Sequence, residues 1–92
     1  MRDKTDRLDR ANHAAMRGER FRSFVADPDV AAFFKAYEAD RIERLLRAGA
    51  ADDDARRSAA LEINAMREFK SFITSAIAAG DHASTILQKE NT

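Results

Sequence analysis

Three adjacent carboxylates, Asp52, Asp53 and Asp54, form the densest group of cation-capable side chains in the sequence. A calcium loop needs alternating oxygen ligands and a bidentate Glu about twelve positions after the first. Position 63 is Ile, and Glu62 falls within a helical stretch, so helix capping accounts for the run without a metal. His13 and His82 lie far apart, and neither has the i, i+4 His or Glu neighbour of a helical zinc site. Ser23, Ser58, Ser71, Ser75 and Ser84 are not arranged with a His–Asp pair as a nucleophilic triad, and no glycine-rich phosphate loop occurs. The chain is therefore expected to be non-enzymatic, with no catalytic residue, no cofactor and no metal.

Arginines offer a second kind of chemistry. Arg17, Arg20 and Arg22 precede Arg41, Arg44 and Arg47, then Arg56 and Arg57. Of these, Arg17, Arg20, Arg44, Arg47, Arg56 and Arg57 are the candidates for contact with nucleic-acid phosphate. The overall balance opposes that use, because 16 basic and 16 acidic residues cancel, whereas nucleic-acid binders usually show a basic surplus. Only residues 1–22 lean basic, with seven basic side chains against four acidic ones. A helix-turn-helix reader would also need a short recognition helix, and Asp52–Asp54 would repel phosphate. Arg41 and Lys70 stand out differently, since each falls within an apolar face. Their stems are expected to lie along that face with the charged ends in water, or paired locally with Glu38, Glu62 or Asp40.

The elements that carry these side chains are marked by sparse punctuation, one proline and three glycines. Asp27-Pro28 predicts a helix start, because aspartate caps well and proline suits the first turn. A helix is expected over about 28–48, ended by Gly49 as a left-handed cap, and another over about 53–79, ended by Gly80. Asp81 is then placed to cap a short final turn. Before Asp27, a helix over about 3–26 carries a mostly small seam: Leu8, Ala11, Ala14, Ala15, Gly18, Phe21 and Val25. The fold class is all-α: an antiparallel hairpin of the two long helices, extended by the N-terminal one, in a single domain spanning 1–92. Residues 1–10 and 82–92 are expected to be loose unless a partner holds them. On the second helix, Val30, Phe33, Phe34, Tyr37, Ile42, Leu45 and Leu46 are expected to meet Ala59, Ile63, Met66, Ile73 and Ile77 of the third.

The third helix has more apolar surface than one neighbour can cover. Leu61, Ile63, Met66, Phe69, Phe72, Ile73 and Ile77 spread over more than half its circumference, whereas a helix on one partner needs a stripe of about 100°. Leu61, Ala65, Phe69, Phe72 and Ala76 form the second face and are the predicted protein interface. With no cysteine, no apolar run near the ~20 residues of a membrane span and no signal-peptide pattern, no membrane role is expected.

The order of these features resembles a known group. Ala14-Ala15-Met16-Arg17-Gly18-Glu19-Arg20 leads to Phe24-Val25-Ala26-Asp27-Pro28, then Phe34, Glu38 and Ile42 before an acidic break. Arg56-Arg57, Ile63, Ala65-Met66-Arg67 and Phe69 follow, closing on Ala79-Gly80. Over about residues 11–80 this resembles small helical proteins of tailed bacteriophages and prophages, encoded near the portal and terminase genes. The resemblance implies no catalytic residue. It implies a structural or assembly role in the virion, with other virion proteins or a second copy as partner, and a location in the virion or host cytoplasm. Two other functions are carried beside it: a DNA-packaging accessory resembling a small terminase subunit, and an inhibitor of a host protein.

Overall fold

The computed structural model describes residues 2–90, and over these the protein is all-α. Three helices follow one another: α1 (Arg2–Ala26), α2 (Pro28–Arg47) and α3 (Asp53–Glu90). Each start has a local cause. Asp27, in an extended conformation, accepts hydrogen bonds from the Asp29 and Val30 N–H groups at 2.8 and 3.3 Å, with Pro28 in the first turn. Asp52 caps α3 by accepting from the Ala55 N–H at 3.2 Å.

Both glycine stops differ from expectation. The cap of α2 is Ala48, whose N–H donates to the Arg44 carbonyl at 3.1 Å, and Gly49 is not left-handed. A side chain replaces the left-handed cap: the Arg56 guanidinium donates to the Gly49 carbonyl and, at 3.0 Å, to the Ala50 carbonyl. Gly80 does not end α3, which continues as helix to Glu90, so the separate final turn begun by Asp81 does not form. Gly80 is buried within the helix because another helix passes close to it there.

The chain forms two packing units, and α3 contributes to both. The first joins α1 to the part of α3 from Phe72 onward. The two segments run antiparallel: Lys4 and Arg7 pair with Glu90 at 3.6 and 3.5 Å, while Phe21 meets Phe72. Their seam holds the buried Ala11, Gly18, Ile73, Ala76, Gly80 and Ala83. A Cβ built on either Gly18 or Gly80 would lie 2.9 Å from the other's Cα, so two hydrogens in place of methyls allow this approach. The stretches expected to be loose are helical over 2–10 and 82–90, and Met1, Asn91 and Thr92 lie outside the described residues.

The second unit, Asp27–Ser71, packs α2 antiparallel on the first half of α3. Phe34, Ala59 and Ile63 are buried, with Val30, Tyr37, Arg41, Leu45 and Met66 half-buried around them. Phe33, Ile42 and Leu46, expected in this seam, are instead 58%, 36% and 78% exposed. The buried stripe of α2 steps Val30–Phe34–Tyr37–Arg41–Leu45–Ala48 at intervals of three and four, so the residues adjacent to it turn outward. Arg41 lies inside that stripe, which is why the apolar pattern is broken there.

Candidate interaction surface

Along the part of α3 in the second unit, Leu61, Ala65 and Phe69 fall within an arc of about 80° at 100° per residue, while Phe72 belongs to the first unit. Leu61 is 61% exposed, Phe69 45% and Phe72 54%, and Ala65 is exposed. Ala76, grouped with them on helical periodicity, is 6% exposed and lies in the seam of the first unit. The outward side chains are rooted at their bases. The Phe69 ring contacts Phe34 at 6.0 Å between centroids, and Phe72 meets Phe21 edge-on at 5.7 Å. Aromatic pairs in such geometries contribute about 0.5–1.5 kcal/mol beyond their area. The rings are thus held in place while much of each faces water. Phe33 contacts both Phe34 and Tyr37, at 6.1 and 5.8 Å, and enlarges the apolar surface on the Phe69 side of the second unit. Helical spacing shared between Phe33 and Phe34 left this residue's outward direction hidden in the sequence.

The polar side chains behind this surface are largely satisfied by one another. The Arg41 guanidinium lies over the Tyr37 ring at 3.9 Å, donating to Glu62 at 2.6 Å and Asp40 at 2.7 Å. Its pKa is raised above the ordinary arginine value, chiefly by the Glu62 hydrogen bond. Glu38 accepts from Arg67 at 3.3 Å and Lys70 at 3.4 Å, and these two bonds, Arg67's first, hold its carboxyl below the ordinary value. Lys70 also stands over the Phe34 ring at 5.8 Å. In the first unit, Arg22 donates to Asp81 at 2.5 Å, which raises the arginine's pKa.

The candidate phosphate-binding arginines separate into two groups. Arg44 is committed to Asp40 at 3.0 Å and Arg47 to Glu43 at 2.5 Å, while Arg56 is occupied with Asp53 and the turn carbonyls. An open groove of about 540 Å³ beside this end of the unit is lined by Asp40, Glu43, Glu62, Arg44 and Arg47, and each of these charges is paired, Glu62 with Arg41 outside the lining. Arg17 and Arg20 instead line a shallow groove on α1 with Arg10, His13 and Ala14. Those three arginines, and Arg57 on α3, form no ion pair among the described residues.

Among the described residues, no group of three His, Asp or Glu side chains is placed to hold a metal ion. Nor is any described helix long and apolar enough to cross a membrane. No family model, curated protein or solved structure matches the chain.

Proposed function

We propose that this chain is a non-enzymatic assembly protein that works through helix-mediated contact with another protein surface. The contact lies on the outward face of α3 within the hairpin of α2 and α3, at Leu61, Ala65 and Phe69, with Phe72 of the first unit as a further contact residue. The observation that carries the reading is the exposure of Leu61, Ala65 and Phe69 at four-residue intervals along one helix of the second unit. Fully burying such a ring or branched chain is worth about 1.5–3 kcal/mol, and roughly half of that is unrealised for side chains that are 45–61% exposed. Exposed apolar side chains gathered on one helix face mark interaction sites more often than scattered ones do. The sequence resemblance supplies the setting, the virion of a tailed phage or its assembly intermediates.

Leu61→Asp tests the reading, because a charge at this exposed position of the face opposes its burial while the helix itself is undisturbed. The variant is expected to keep its helical circular dichroism and to be lost from assembled particles. Undiminished incorporation would overturn the assembly role of this face.

One observation favours a second reading, a DNA-packaging accessory. Arg10, Arg17 and Arg20 share one exposed side of α1 and form no ion pair among the described residues. If they neutralise phosphates, binding to duplex DNA weakens steeply with salt, by roughly 0.9 in log affinity per phosphate for each tenfold rise. A salt-independent response would exclude that use of the stripe.

A further inference from the structure

We infer that the occupant of the α3 face is a second copy of this chain, its α3 laid antiparallel across the first. The inference rests on the assembly reading above and names the partner. Two charged residues carry it. Arg57 and Glu68 both lie on α3, and neither forms an ion pair among the described residues. Most neighbouring charges are committed: Asp53, Arg56, Glu62, Arg67 and Lys70 all have intrachain partners.

At 100° per residue, Arg57 and Glu68 border the same edge of the arc that holds Leu61, Ala65 and Phe69. Their sequence separation is too long for them to pair within one straight helix. A two-fold axis perpendicular to α3 changes that, because it brings like edges of two antiparallel helices together. With the axis beside Asn64 and Ala65, Arg57 of one copy lies four residues from Glu68 of the other. At 1.5 Å per residue that offset is about 6 Å along the axis, within reach of an extended arginine side chain. The symmetry makes two such pairs. The same placement sets Leu61 of each copy opposite the Ala65–Phe69 stretch of the other, and the small Ala65 at the centre lets the helices approach closely. Apolar contact supplies the affinity, and the charge pairs select the antiparallel orientation.

The arrangement predicts an unusual pattern under charge reversal. Wild-type protein should sediment as a concentration-dependent dimer, and Arg57→Glu or Glu68→Arg alone should weaken that dimer by about tenfold. Each single variant places like charges opposite each other at both ends of the interface. The double variant should recover wild-type association, because the opposed charges are merely exchanged. Mixing the two single variants should give a heterodimer tighter than either homodimer, read by sedimentation with one partner fluorescently labelled. Far-ultraviolet circular dichroism of every variant checks that helix content is unchanged. A wild-type monomer up to millimolar concentration would overturn self-pairing, as would equal association in all four proteins or no heterodimer on mixing. None of these outcomes touches the assembly reading, which stands or falls on particle incorporation of Leu61→Asp.

Discussion

Single side chains set the behaviour of the second unit under acid and under truncation. Glu38 is held below its ordinary value of 4.5 by donors from Arg67 and Lys70, so the unfolded chain takes up a proton there before the folded one does. The stabilisation is complete above the ordinary carboxylate range and is lost as pH falls through the lowered folded value. Glu38→Gln should therefore lower the melting temperature at pH 7 and flatten its decline below about pH 4.5, measured by thermal melts across that range. Phe33 and Phe34 make a second comparison, adjacent rings with 58% and 9% exposure. Phe34→Ala should cost about 3–5 kcal/mol in chemical denaturation, and Phe33→Ala less than about 1 kcal/mol. Equal losses would mean that Phe33 is covered in solution. Arg41 shows what residue-level reading captures: candidate partners Glu62 and Asp40 lie within a side chain's reach once α2 and α3 are antiparallel. Phe33 shows what it misses, because the pattern cannot say which of two adjacent rings the seam takes.

At the scale of elements, helix starts were legible and helix ends were not. Asp27-Pro28 and Asp52 act on their own neighbouring N–H groups, so their chemistry is local and readable. Glycine is ambiguous, because a left-handed stop and a close helix crossing both need a missing side chain. Gly80 is the second case and Gly49 is neither, its carbonyl being capped by Arg56 from the next helix. The two positions should respond oppositely to alanine. Gly80→Ala brings a methyl to 2.9 Å from the Gly18 Cα. It should lower stability by about 1–3 kcal/mol, although alanine favours helix by about 1 kcal/mol. Gly49→Ala meets nothing within 4 Å and no left-handed backbone, so it should stabilise by about 0.4–1 kcal/mol through the unfolded chain. Urea midpoints of the two variants against wild type decide both. Which part of the α3 arc remains outward was likewise only half legible. Leu61, Ala65, Phe69 and Phe72 are exposed, but Ala76 is taken into the α1 seam by a long-range pairing that no local pattern encodes.

Across the described residues, few large side chains are deeply buried, and the buried set is dominated by alanine alongside Phe34, Ile63 and Ile73. Such thin seams leave stability sensitive to anything that covers α3. Self-association coupled to folding makes the melting temperature rise with protein concentration. The wild-type chain should show that rise between micromolar and hundreds of micromolar, and Leu61→Asp should abolish it in differential scanning calorimetry. The passage of α3 through both packing units has one more consequence, which concerns the order of synthesis. The unit Asp27–Ser71 is contiguous and can close as soon as it leaves the ribosome, whereas α1 must wait for the stretch beginning at Phe72. At roughly 5–20 residues per second, the ribosome needs about 3–10 s to travel from Phe21 to Phe72. Throughout that interval α1 has its small, weakly apolar seam uncovered. A seam of alanine and glycine is poorly suited to aggregation, so the composition that makes α1 a modest packing partner also makes it a safe one to leave waiting.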